Sequence, residues 1–392
     1  MRLPDRRAAG IAVAGAINFL NLYWTQALLP TLAHDFDAPP ARTGLTVTAT
    51  LLAVALVAPF VGSISDMLGR KRLIVGAIWL LVIPTLAAAA APSLHALVGW
   101  RFAQGLLLPF VFTVAVAYIG DEAPGGAGIR LSGIYSMGTI FGGFASRLVS
   151  GYTTDWFGWR AAFVLLGALT LASAVLVSVL LPREANFQPV RGLRPTVASF
   201  ADHLTNRRLL AACAVGFAVL FSIIAAFTFA NFVLAAPPYG LGPAALGSIF
   251  VVYLFGMVST PVATRLAVRV GRLPTLAMGA GLAVAGLLLA LLPSLWAIVA
   301  GLGMLAGAVF VEQSLTISYL GVAAPRAKST AVGLYVTCYY VGGSLGGILP
   351  AGIWHRAGWP GCVALCIIVQ LLMLAIATAF WRERENAART VD

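Results

Sequence analysis

The chain has 392 residues, 60% of them apolar and only 10% charged, whereas charged residues make up roughly a quarter of a water-soluble domain. No soluble fold of this length hides so much apolar surface, but a hydrocarbon core about 30 Å thick takes roughly 20 apolar residues per helix and admits a dozen spans. The net charge of +12 does not point to nucleic acid, because the basic residues punctuate apolar blocks instead of gathering on one solvated face.

Taken in chain order, apolar blocks between charged punctuation predict spans over 10–33, 43–65, 73–92, 95–119, 130–153 and 159–181. A second set follows over 207–235, 244–267, 273–292, 294–320, 329–353 and 359–381. The opening MRLPDRR resembles a signal peptide, but the apolar run after it outlasts the roughly 7 to 15 residues of an h-region, so an uncleaved first helix is expected. Cys213, Cys338, Cys362 and Cys366 fall inside apolar blocks and form no CxxC pair. His34, His95, His203 and His355 stand apart from any zinc-type grouping, so no metal and no cofactor is expected.

Lys and Arg are retained on the cytoplasmic side of short loops. With both termini cytoplasmic, that side receives twenty basic residues and the other three, Arg42, Arg160 and Arg356. Arg101 and Arg147 lie within apolar spans.

The chain repeats itself. Gly133, Tyr135, Gly142, Gly143 and Trp159 recur 200 positions later as Gly333, Tyr335, Gly342, Gly343 and Trp359, and the turn at Gly69-Arg70 returns 202 positions on as Gly271-Arg272. This predicts an all-α membrane protein of twelve helices in two pseudo-symmetric bundles of six. Residues 1–182 form the first bundle, 183–206 a polar cytoplasmic linker and 207–392 the second. Two such halves around a midplane site are the architecture of the major facilitator transporters.

Three motifs carry a resemblance to that superfamily. GSISDMLGRKRLI, residues 62–74, resembles its motif A, whose family reading is a charge-relay latch closing the cytoplasmic side through Gly62, Asp66, Gly69, Arg70, Lys71 and Arg72. Gly62 and Gly69 would allow tight packing and a sharp turn, and the basic triplet also reads as a positive-inside anchor. The second copy carries Val268 where Asp66 aligns. RFAQG, residues 101–105, resembles motif B, in which an intramembrane Arg is tied to proton coupling; Arg101 reads either so or as a snorkelling anchor. GTIFGG, residues 138–143, resembles the antiporter motif C with Thr139 in place of proline. Its small residues Gly138, Gly142, Gly143 and Ser146, with Gly342, Gly343 and Gly346 in the second copy, offer a close helix approach. Together the motifs are similar to the twelve-helix drug/proton antiporter branch.

That resemblance implies residence in the bacterial inner membrane, with protons and a small molecule as partners in the bilayer and a monomer as the working unit. It also implies a cavity lined by spans 1, 4, 7 and 10. Candidate lining residues are Asn18, Asn21, Thr25 and Gln26 on span 1, Arg101 and Gln104 on span 4, Asn231 on span 7, and Thr316 and Tyr319 on span 10. Each polar side chain meets either water and ligand or a neighbouring helix. Tyr135, Tyr335 and Tyr339 serve as aromatic walls or as packing. Of thirteen acidic residues, Glu312 alone lies clearly inside a span. It is the candidate for proton coupling beside Arg101, although solvation near the inner helix end is the competing account. Direct pairing is not expected, since their depths differ by about 18 Å at 1.5 Å per residue.

The leading expectation is proton-coupled efflux of small organic molecules by alternating access. The alternative is an organic-anion or sugar exchanger or facilitator, with Arg101 and Arg147, each about 9 Å inside the outer boundary, holding an anion. A membrane-embedded transferase is the remote alternative and finds no clustered His, Asp or Ser site, and an ATP-driven pump finds no GxxxxGK[ST]; the protein is not expected to be an enzyme.

Overall fold

The computed structural model describes residues 6–123, 126–185, 203–324 and 328–381, so most of the linker expected over 183–206 lies outside the described residues. Eight helices or near-continuous helical runs are long and apolar enough to cross a bilayer: α1 (Arg6–Asp35), α2 (Pro40–Leu68), α3 (Arg70–Ala89), α4 (Leu94–Glu122), α7 (Arg207–Ala235), α8 (Pro243–Val270), α9 (Arg272–Leu289) and α10 (Leu295–Ala323). Two further stretches, Gly126–Leu180 and Lys328–Phe380, run to 55 and 53 residues. Straight, each would be about 80 Å long, more than twice the hydrocarbon thickness.

Neither is straight. Each leaves helical geometry at one glycine, Gly158 with φ 83° and Gly358 with φ 55°, a region open to glycine because it has no Cβ. Tyr135 and Thr139 lie beside Gly15 of α1, while Leu181 lies beside Gly10 of the same helix, so the chain doubles back between them. The stretches are therefore α5 (126–157) with α6 (159–180), and α11 (328–357) with α12 (359–380). The ten candidate stretches thus give twelve spans, each within about five residues of its expected bounds.

The repeat is visible as contacts. Gly142 sits against the Ala16 carbonyl where α5 crosses α1, and Gly342 sits against the Phe217 carbonyl where α11 crosses α7. Tyr135 packs on Gly15, and Tyr335 packs on Gly216. Helices in lipid gain little from hydrophobicity against one another, so such backbone-to-backbone approaches supply much of the packing. Gly69 and Gly271, with φ 93° and 95°, make the matching turns from α2 into α3 and from α8 into α9. One core cluster is drawn entirely from residues between Ala8 and Leu181. The other fills the second half and runs on into Val47, Leu51 and Val54 of α2.

One end of the bundle, called here the basic face, carries the Gly69 and Gly271 turns with Lys71, Arg72, Arg207 and Arg208. The opposite face carries the Gly158 and Gly358 bends.

Candidate substrate cavity

The first helix is not continuous, and its breaks organise what surrounds it. After Tyr23 the α-helix gives way to a single 3-10 turn, Gln26–Leu28, before resuming at Leu29 with Pro30 in its first turn. Pro30 has no N–H to offer the carbonyl four residues back, that of Gln26. Asn231 of α7 takes this freed carbonyl, donating from Nδ2 at 2.8 Å.

The break also leaves the carbonyls at the end of the first segment without helical donors. Arg101 caps them, donating from Nη1 to the Asn21 carbonyl and from Nη2 to the Leu22 carbonyl, both at 2.8 Å. Its Nε reaches the Thr46 carbonyl at 3.2 Å, and Nη1 also reaches Gln104 Oε1 at 2.6 Å. A cation at a helix C-terminus is where the helix dipole favours one. Gln104 in turn donates to Thr85 at 2.7 Å, Thr85 to Asn21 Oδ1 at 3.1 Å, and Asn21 to Thr170 at 3.1 Å. Arg101, Gln104 and Asn21 thus form a closed network inside the first half.

The cavity lies beside this network, between the halves. It has a volume of about 420 Å³ and is walled by Phe19 and Tyr23 of α1, Thr139 and Arg147 of α5, Tyr253 and Thr260 of α8, Gln313 and Ser314 of α10, and Tyr339 of α11. A second lobe of about 340 Å³ continues past Tyr335 to Leu320, Gly321 and Val332, near the basic face. Toward the opposite face the halves close on each other. Thr48 donates to the Ser344 carbonyl at 3.2 Å, Gly151 sits against the Pro243 carbonyl, and Gly247 sits against the Arg147 carbonyl. The cavity therefore opens toward the basic face.

Arg147 is the one charged side chain among the described residues lining either lobe. Its Nε and Nη2 donate to Gln26 Oε1 at 3.0 and 2.6 Å, and its Nη1 donates to the Gly143 carbonyl at 2.5 Å. The guanidinium lies 4.1 Å from the ring centre of Tyr23 and 4.9 Å from those of Phe250 and Tyr253.

Two halves that meet at one face and part at the other, around a midplane cavity, have the form of an alternating-access transporter. Comparison with known proteins settles the family, because the sequence model of the Major Facilitator Superfamily matches residues 11–234 and again 218–392. The chain belongs to that superfamily. It is 33% identical to the inner membrane transport protein YnfM of Escherichia coli K12, over 94% of this chain and 89% of that one. It is 25% identical to the multidrug efflux protein YfmO of Bacillus subtilis, over 86% and 83%. The fold matches an inward-facing bacterial homologue of the lysosomal transporter Spinster with a TM-score of 0.74, at 18% identity and 97% coverage of both chains. The protein is a multi-pass membrane transporter of small molecules that works by alternating access, and not an enzyme.

The turn that resembles motif A lies within the first half. Arg70 pairs with Asp66 at 2.7 Å and with Asp121 of α4 at 2.9 Å, Lys71 donates to the Ser178 carbonyl at 3.0 Å, and Arg72 is exposed. Gly69 makes the turn. Gly62, expected to permit tight packing, faces open space instead. Gly138 and Gly142 lie against α1, Gly342 and Gly346 against α7, and Gly343 against Leu220. Gly143 supplies the carbonyl that holds Arg147.

Most of the expected lining residues stand off the cavity wall. Asn21, Arg101 and Gln104 are consumed by the network described above. Asn18 and Thr25 are buried along α1, with no polar partner among the described residues. Gln26 and Asn231 join the halves behind Arg147. Tyr135 donates to the Phe112 carbonyl at 3.3 Å, Thr316 to the Glu312 carbonyl at 2.6 Å, and Tyr319 stacks on Trp381 at 4.5 Å. Tyr335 and Tyr339 do line the space.

Glu312 is also off the wall, turned into the second half. Gln370 of α12 donates to its Oε2 at 3.4 Å and to Ser222 of α7 at 3.2 Å, while Glu312 Oε1 has no partner among the described residues. The Gln370–Ser222 pair repeats the Thr170–Asn21 pair of the first half. Phe19, Tyr23 and Tyr253 of the wall carry no charge or amide to mark them in the sequence, and Gln313, beside Glu312, was not among the expected lining residues. The available signal was Arg147 itself, a charge in an apolar span that needs company.

Proposed function

We propose that this transporter is a proton-coupled exporter of small organic molecules and that Glu312 carries the coupled proton. In this reading the basic face is cytoplasmic, with both termini on that side, as the charge asymmetry of the loops favours. The halves 1–182 and 207–392 rock about the cavity as a monomer, joined by the linker 183–206.

One observation carries the reading. Among the described residues only Glu122 and Glu312 are buried carboxylates; Glu122 sits at the end of α4 with Arg7 at 3.6 Å, whereas Glu312 lies deep in α10 with no cation beside it. A group that exchanges a proton inside the membrane must tolerate both charge states, and the neutral acid is the less costly one there. Protonation gives Glu312 a donor that Gln370 must answer, so the bonds joining α7, α10 and α12 change with the proton. Efflux as the direction rests on the likeness to YfmO and on the resemblance of residues 138–143 to an antiporter motif.

The test is gradient-driven uptake into inside-out vesicles beside substrate exchange at equal pH. Glu312→Gln should keep exchange and lose concentrative uptake. If that variant concentrates substrate as well as wild type, Glu312 does not couple. The second reading, an exchanger indifferent to protons, is favoured by the lone cavity cation and predicts no response to the gradient in wild type either.

A further inference from the structure

We propose that Arg147 anchors the transported molecule and that the molecule is an organic anion, a carboxylate or sulfonate head on an apolar ring body. The inference rests on the reading of this cavity as the transport site and names the substrate class.

Arg147 is the only charged side chain among the described residues lining either lobe, and no carboxylate lies there to receive a cation. Glu312, one residue from the wall residue Gln313, turns into the second half's core toward Gln370. Arg147 is 2% exposed and forms no ion pair among the described residues.

A guanidinium has five N–H groups, and three hydrogen bonds are made here, to Gln26 and Gly143. Because Gln26 Oε1 accepts two of them, the side-chain amide must point its Nε2 elsewhere, and that nitrogen has no partner among the described residues. The Tyr253 hydroxyl, on a ring 4.9 Å from the guanidinium, has none either. Guanidinium and phenol both line the cavity and are able to donate, and a planar oxyanion accepts from such a pair, whereas an ammonium does not.

The walls fix the rest of the molecule. Phe19, Tyr23, Tyr253, Phe310 and Tyr339 supply ring faces and edges, and a cavity of about 420 Å³ lies in the usual range for small-molecule sites. The ring contacts on Arg147 hold its plane in place, so the anion meets a preset fork.

The test measures binding of three matched probes to the purified full-length protein in detergent by calorimetry: 2-naphthoate, 2-naphthylmethanol and 2-naphthylmethylamine. Naphthoate should bind at least about tenfold more tightly than either isostere, as expected for a charge-assisted bidentate contact. Arg147→Lys keeps the charge and loses the fork, and should weaken naphthoate about tenfold or more. If that variant does not fold, Gln26→Glu serves: it places a carboxylate where Oε1 already meets the guanidinium, so the protein should melt no lower than wild type yet lose naphthoate binding. Wild type that ignores naphthoate, wild type that prefers the amine, or Gln26→Glu binding naphthoate as wild type does would each overturn the proposal. Naphthoate binding through Arg147 without pH-driven movement removes proton coupling and leaves this site. Uphill transport of the cation ethidium with no binding of naphthoate does the reverse.

Discussion

Gly142 of α5 rests directly against the Ala16 carbonyl of α1, leaving no room for even a methyl group. The same contact recurs between Gly342 of α11 and the Phe217 carbonyl of α7. Each is where one half's inner helices cross.

Gly142→Ala and Gly342→Ala should therefore each destabilise the protein by about 1 to 3 kcal/mol, the usual cost of overpacking. Gly133→Ala, where a methyl meets open space, should be neutral. Melting in detergent by tryptophan fluorescence reads all three, and equal melting of the four proteins would show that these crossings yield easily.

Arg101→Ala strips the cap from the broken end of α1 and leaves the Asn21 and Leu22 carbonyls short of a donor, while the Thr46 carbonyl keeps Thr50. Charge-assisted bonds of this kind are worth roughly 1.5 to 3 kcal/mol each, so a large fall in melting temperature should accompany any loss of transport. A variant that melts like wild type but does not transport would place Arg101 in the transport chemistry instead.

Asp66→Asn removes the 2.7 Å pair with Arg70 at a site 44% exposed for the aspartate, so stability should change by less than about 1 kcal/mol. If the turn is the latch that its resemblance to motif A implies, turnover should still slow, because closure of the basic face loses that charge. Distances between spin labels at Ile129→Cys and Val268→Cys, measured with and without the substitution, check that the open population grows.

Asn231→Leu breaks the bond to the Gln26 carbonyl that Pro30 sets free. The opposite face should then open more readily, seen as longer distances between labels at Asp37→Cys and Ala236→Cys. Unchanged distances would mean that the glycine contacts between α5 and α8 and the Thr48 bond to the Ser344 carbonyl hold that face without Asn231.

The spans were legible because charge punctuates them and because the two halves share one pattern of glycines and tryptophans. The cavity was not, and α10 shows why. Gln313 faces the cavity and Glu312 the core, and they differ by about 100° of helix rotation. Both faces are enclosed, so the apolar pattern that separates inside from outside has nothing to say between them. On α1 the polar residues Asn21 and Gln26 bond protein, while the wall is Phe19 and Tyr23. Polar groups inside a bilayer seek each other first, and a substrate wall is free to be aromatic. The sequence predicts one span through Pro30, and both the break before it and the carbonyl it frees for α7 needed the neighbouring helix in place.

The core cluster drawn from Ala8 to Leu181 has a consequence for how the protein is made. At the ordinary rate of about 5 to 20 residues per second, the first six helices exist for roughly 10 to 40 s before the last residue is joined. For the first roughly 4 to 14 s of that interval, at the same rate, Gln26 and Tyr23 already stand ready for Arg147, but Phe250 and Tyr253 do not yet exist. The ribosome thus delivers a buried cation with only half its surroundings, and the arrival of α8 completes the aromatic enclosure as the second half docks.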